Sequence, residues 1–251
     1  MLLKLALVPA AVWAASIAAR RWGHAASGYL GGLPLIGGPI TFYLAIDHGA
    51  AFAAQSATFT LAAILGQCAH LLAFAHVARR GRWPAALACG WTAYALVALA
   101  LSALAPSAPV ALGLALAGLA AAWLGLPRPQ GPAPLPAIPA VELRLRLGAA
   151  LLLAAVILWS APIFGPAVSG ILLSVPITGS IIPPFTLALY GPGALARLMR
   201  GFVAGLTGFA AFFFIVGSGL ERWGLATFLV AIAAAFAAVF AARRLASPER
   251  G

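Results

Sequence analysis

Residues 166–190 read Pro166-Ala-Val-Ser-Gly-Ile-Leu-Leu-Ser-Val-Pro-Ile-Thr-Gly-Ser-Ile-Ile-Pro-Pro-Phe-Thr-Leu-Ala-Leu-Tyr190, without one charged side chain. An apolar stretch of about 20 residues is long enough to cross a bilayer as a helix. This one carries Pro176, Thr178, Gly179 and Ser180 at its middle, where a simple spanning helix has no use for them. The rest of the chain agrees with a membrane setting. Of 251 residues, 64% are hydrophobic and 8% charged, against about 25% charged in an average soluble domain. That balance excludes a soluble globular domain, a disordered chain and a disulfide scaffold. The apolar runs are continuous, with no period-two alternation, which disfavours a β-barrel. The sequence therefore predicts an all-α polytopic membrane protein.

Nine spans are expected, at 3–19, 24–46, 54–77, 84–105, 109–126, 145–161, 166–190, 201–219 and 224–242. Basic residues collect on the cytoplasmic side of membrane proteins, and that rule orients the chain. With the N-terminus outside, the cytoplasmic segments hold Arg20, Arg21, Arg79, Arg80, Arg82, Arg128, Arg144, Arg146, Arg197, Arg200, Arg243, Arg244 and Arg250, which is 13 of the 15 basic residues. Only Lys4 and Arg222 fall outside. The formal charge of +11 thus reads as topology and not as nucleic-acid binding. A secretory signal over residues 1–19 is the weaker reading, because the same segment takes part in an internal repeat.

Shifting the chain by 142 residues lays Gly23-His-Ala-Ala-Ser-Gly28 over Gly165-Pro-Ala-Val-Ser-Gly170. In the same register Pro34 meets Pro176, Gly37 meets Gly179, Ile40 meets Ile182, Gly49 meets Gly191, and Lys4 meets Arg146. The first copy sits in the second span and the second in the seventh, so the two run in opposite directions. Residues 1–105 form one four-helix repeat. Residues 106–126 form a connecting helix, 127–142 a Pro-rich cytoplasmic linker with no site of its own, and 143–251 a second, inverted repeat.

Helices broken by Gly and Pro at matching places in inverted halves are the usual pointer to a transporter's solute site. Proline removes a backbone donor and clashes with the preceding turn. The freed backbone groups must face protein or a wet cavity, never lipid. The candidate substrate-binding residues are Pro34, Gly37 and Thr41 from the first break, and Pro176, Thr178, Gly179 and Ser180 from the second. Gln67 and His70 join them from the polar third span, three residues apart on one helix face. His70 is expected to be the one titratable side chain well inside the membrane, and so the one candidate proton carrier. The blander readings are kinks and close packing for Gly and Pro, an interhelical hydrogen bond for His70, and a surface-loop acid for Asp47.

Catalytic signatures are missing: no His-Glu-x-x-His, nucleophile elbow, phosphate loop or paired intramembrane carboxylates. Cys68 and Cys89 have neither metal-ligand spacing nor neighbours to suggest a site. No catalytic residue, metal or cofactor is expected. The expected partners are membrane lipids and an unidentified small molecule or ion, with no nucleic acid. A homodimer is the one protein assembly the reading allows.

Phe164-Gly-Pro-Ala-Val-Ser-Gly-Ile-Leu-Leu-Ser-Val-Pro-Ile177, Arg197-Leu-Met-Arg-Gly-Phe-Val-Ala-Gly205 and Gly31-Gly-Leu-Pro-Leu-Ile-Gly-Gly-Pro-Ile40 with Phe52-Ala-Ala54 resemble a group of uncharacterised multi-pass inner-membrane proteins of bacteria. Each half is distantly similar to small four-helix membrane proteins of the GlpM type. The resemblance implies an integral bacterial inner-membrane protein and brings no substrate or functional residue with it; the arginine distribution is what places the N-terminus outside and the C-terminus in the cytoplasm. The expected function is secondary transport of a small solute by alternating access. A non-transporting scaffold or assembly factor is the alternative, and an enzyme the least favoured.

Overall fold

A computed structural model describes Trp13 and residues 22–80, 82–129 and 139–246. The expected first span at 3–19 (Trp13 apart), Lys4, Arg20, Arg21, Arg250 and most of the Pro-rich linker lie outside the described residues. Among the described residues the chain is helical, without strands. The elements are α1 (22–32), α2 (Gly37–His48), α3 (Ala50–Ala62), α4 (Ile64–Ala78), α5 (Trp83–Ser102), α6 (Ala108–Gly125), α7 (Ala140–Leu173), α8 (Ile177–Trp223) and α9 (Thr227–Ala246). Several stretches are long and apolar enough to cross a membrane: Trp22–His48, Ala50–Ala78, Trp83–Ser102, Ala108–Gly125 and the interrupted run Ala140–Arg244.

The boundaries differ from the sequence expectation in instructive ways. The expected span 24–46 is interrupted at 33–36, where Pro34 stands. The expected span 54–77 begins earlier, at Ala50, and is interrupted at Ala63, which has neither Pro nor Gly to mark it. The helix expected at 145–161 starts at Ala140, so Glu142, Arg144 and Arg146 are helical and not loop. Hydropathy finds the oily middle of a helix. Its polar first turns stay helical because their backbone bonds do not depend on side-chain polarity.

Two of these long runs each consist of two helices joined at a sharp corner. α7 bends at Gly165 (φ 74°) and α8 at Gly191 (φ 77°). Gly23 and Gly49 adopt the same left-handed conformation, with φ of 86° and 89°. A side chain there would strain the backbone, so only glycine enters this region readily.

α3 and α8 form the centre. α3 packs against α2, α6, α7 and α8, and α8 also touches α4, α5, α6 and α9. The core between them is built largely from Ala, Leu and Phe, including Ala53, Ala57, Leu61, Leu198, Leu206 and Phe213. The outside is apolar too: Leu99, Leu124, Trp159, Leu229 and Phe236 are all exposed. An apolar exterior over a small-residue interior is the packing expected in lipid, where helices associate by close contact and not by hydrophobic exclusion.

Arg79 and Arg128 lie together at one end of the bundle, while Arg222 lies apart from them in the last turn of α8. At the end that holds Arg79, Arg200 donates to Leu126 O (3.2 Å) and lies over the Trp123 ring, while Arg243 lies over Tyr29. The rings of His24 and Tyr190 meet at the same end, 4.8 Å apart. A cavity of about 340 Å³ opens there too, between Ala78, Arg79, Pro127, Arg128 and Pro192. The opposite end carries aromatic contacts such as Phe42 on Phe228 (5.2 Å).

Candidate functional site

A second cavity, of about 70 Å³, lies at the two helix breaks. A water needs roughly 10–15 Å³ of such space, so the cavity has room for several waters or one small solute. Its wall includes Leu35, Ile36 and Gly37 from the first break and Ile177, Thr178 and Gly179 from the second. Each trio sits 142 positions from the other in the sequence. Gln67 of α4 and Phe209 of α8, another pair at that spacing, both line it as well.

Of the residues singled out from sequence, Gly37, Gln67, Pro176, Thr178 and Gly179 line this cavity. Pro34, Thr41, His70 and Ser180 are not among its lining residues. Thr41 Oγ1 donates to Gly37 O (2.8 Å) and Ser180 Oγ to Pro176 O (2.7 Å), so both hydroxyls serve their own helix. The Pro34 carbonyl accepts the N–H of Gly38 (2.8 Å), closing the first turn after the break.

The second break is held by side chains from the other half of the chain. Pro176 has no N–H, and the segment 174–176 leaves the helix, so carbonyls before it lose helical partners, while Gly179 O loses its own to Pro183, four residues on. Thr60 Oγ1 donates to Gly170 O (2.9 Å) and Tyr94 Oη to Ile171 O (2.9 Å). Gln67 Nε2 donates to Ser174 O (2.8 Å). His70 Nε2 faces Gly179 O at 3.3 Å, which makes Nε2 the protonated nitrogen of the ring. Buried polar groups are almost always paired, and here four side chains of α3, α4 and α5 bond carbonyls around the break, Ile171 O also accepting the N–H and hydroxyl of Ser174. Gln67 and His70 therefore shape the break, and Gln67 also lines the cavity beside it.

Among the described residues the first break has no such polar cradle. A Cβ on Gly37 would stand 3.0 Å from Phe213 Cζ, and one on Gly38 would stand 3.3 Å from Phe212 Cζ. Phe209, Phe212 and Phe213 stand 142 residues after Gln67, His70 and Leu71. The two breaks are thus alike in backbone and unlike in chemistry.

One feature escaped the sequence reading. Arg146, expected in a cytoplasmic segment, is 5% exposed and lines the cavity. It pairs with Glu142 one helical turn earlier, itself 4% exposed. His70 is consequently not the one ionisable group in the interior. The signal was present as Glu142-x-x-x-Arg146, the spacing at which opposite charges meet on a helix. No cluster of His, Cys, Asp or Glu among the described residues could hold a metal ion.

No family model, curated protein or solved structure matches the chain.

Proposed function

We propose that the chain is a secondary transporter of a small solute, lodged in a bacterial inner membrane and working by alternating access around the cavity at the two breaks. The observation that carries this reading is that both breaks line one cavity. Freed backbone groups beside a cavity are what a solute site in a transporter is made from.

In this reading residues 1–105 and 143–251 are inverted four-helix repeats, and 106–126 is the helix that inverts the second. Nine spans place the N-terminus outside and the C-terminus in the cytoplasm. Three sets of matched features support the repeat. Left-handed glycines occur at 23 and 165 and again at 49 and 191. The breaks at 33–36 and 174–176 overlap at the same spacing, 33–36 falling on 175–178. The third is an exchanged contact: a Cβ on Gly28 would overlap Leu198 O, and one on Gly170 would overlap Ser56 O. Positions 28 and 170, and 56 and 198, are each 142 apart. A contact that recurs with its partners exchanged is the mark of two-fold related halves. The placement of Arg79 and Arg128 together at one end supports the orientation through the positive-inside rule.

A scaffold or assembly factor is the second reading. It is favoured by the close approach of α1 to α8, where Cβ atoms on Gly28, Gly32, Gly201 and Gly205 would all collide with facing backbone. Close glycine contacts suit a rigid scaffold as well as a transporter. Osmotic swelling of proteoliposomes in a panel of small solutes separates the two. Transport predicts swelling in a subset of solutes above empty vesicles, and a scaffold predicts none.

A further inference from the structure

The cavity of about 340 Å³ at the end of the bundle away from Phe42 and Phe228 lies apart from the helix breaks. We propose that it is a lipid site, in which Arg79 and Arg128 hold the phosphate of an anionic phospholipid. Three helices build it. α4 ends on it with Ala78 and Arg79, and the chain leaving α6 crosses it with Pro127 and Arg128. After the Gly191 corner, Pro192 starts the second helix of α8 against it, and Ala196 and Met199 follow along that helix. A space of this size reaches the lower range of ligand pockets, about 300–1,000 Å³.

The two arginines differ from their neighbours. Arg200 rests on Leu126 O and Trp123, and Arg243 on Tyr29. Among the described residues Arg79 and Arg128 have no hydrogen bond, ion pair or ring contact. The chain has four acids to answer 15 cations. Glu142 pairs with Arg146, and Asp47 and Glu221 lie in the last turns of α2 and α8, at the far end. Glu249 lies outside the described residues, and residues 130–138, which follow Arg128 and Pro129, carry no charge. Glu221 stands 142 residues after Arg79, so the repeat alone does not call for a cation at this place.

The wall also indicates what kind of phosphate fits. Both arginines are exposed, whereas Ala78, Ala196 and Met199 are buried. A basic rim over an apolar floor matches an amphiphile, and free phosphate would leave the floor uncovered. Guanidinium groups meet phosphate oxygens through paired N–H donors, and the helix start at Pro192 favours negative charge beside them. Basic pockets between spanning helices are where anionic headgroups bind. The site is separate from the proposed solute cavity and stands whether or not the chain transports.

The test follows the melting temperature of the purified full chain in detergent as lipid is added to the micelles. A ligand that binds the folded state raises the melting temperature with concentration. Phosphatidylglycerol should do so. Phosphatidylcholine has the same phosphodiester beside its own cation and should not. Glycerol 3-phosphate and inorganic phosphate, at constant ionic strength, supply the anion without hydrocarbon and should give no response. Arg79→Gln/Arg128→Gln should raise the half-saturating fraction of phosphatidylglycerol by about tenfold or more. Arg80→Gln/Arg82→Gln removes the same charge from arginines that do not line the cavity and should leave that fraction unchanged. All four side chains are exposed, so both variants should melt like wild type without lipid. No response to phosphatidylglycerol, an equal response to phosphatidylcholine, or equal losses in the two arginine pairs would overturn the site. A response to either soluble phosphate that is lost in Arg79→Gln/Arg128→Gln would overturn the lipid assignment and put a free phosphate in the cavity.

Discussion

Gly170 is the residue on which the centre of the bundle turns. A methyl group there would overlap the Ser56 carbonyl and crowd Phe59, and backbone cannot move aside as a flexible side chain can. Gly170→Ala should cost about 1–3 kcal/mol, the usual cost of overpacking a tight contact. Gly28→Ala should cost a similar amount by overlapping Leu198 O. Gly148→Ala, where nothing lies within 4 Å, should be neutral or slightly stabilising, since alanine favours helix over glycine. Melting temperatures of the three variants in one detergent check this ordering. Tyr94 gives a second prediction at this scale. Its hydroxyl reaches both Ile171 O and Ser174 Oγ. Tyr94→Phe removes these two bonds but leaves Ile171 O with the N–H and hydroxyl of Ser174, so it should destabilise by about 1 kcal/mol, the worth of an ordinary hydrogen bond, read out the same way.

The breaks were legible in the sequence because proline and glycine announce themselves. Pro34 and Pro176 cannot donate to the preceding turn, and their matched positions pointed to paired interruptions. The cradle of the second break was only half legible. Gln67 and His70 stood out as polar residues on one face, but their targets, Ser174 O and Gly179 O, lie 107 and 109 residues away, and no local pattern reports a backbone acceptor. Thr60 and Tyr94 were missed because neither is unusual in a membrane helix. Arg146 was missed because hydropathy assigns every arginine to a loop, although Glu142 one turn earlier makes burial tolerable.

At the scale of elements, the left-handed glycines end one helix and start the next. Gly191 turns the chain within α8, and a Cβ there would meet nothing within 4 Å. The cost of Gly191→Ala is therefore conformational and not steric crowding, and should be about 1–2 kcal/mol. The same change at Gly49 should cost a similar amount, since its φ of 89° lies in the same region. Matched losses of melting temperature for the two variants are expected. A large effect at one and none at the other would break the equivalence of the two corners.

The whole molecule combines an apolar exterior, one arginine-rich end and a small cavity where two interrupted helices meet. In the inverted arrangement the corners at Gly49 and Gly191 face opposite sides of the membrane. Single cysteines at His48 and Pro192, in a chain whose Cys68 and Cys89 are replaced by Ser, should react with a membrane-impermeant maleimide from opposite sides. Labelling of both from the same side would remove the inversion.

The claim at the centre is that solute passes through the cavity at the two breaks. It is tested most directly by proteoliposome swelling with wild type and with Thr178→Trp, whose larger side chain fills the cavity wall position of Thr178. Solute-selective swelling with wild type, lost in Thr178→Trp while its melting temperature is retained, is the predicted result. Swelling indistinguishable from empty vesicles, or equal in the filled variant, would contradict the account.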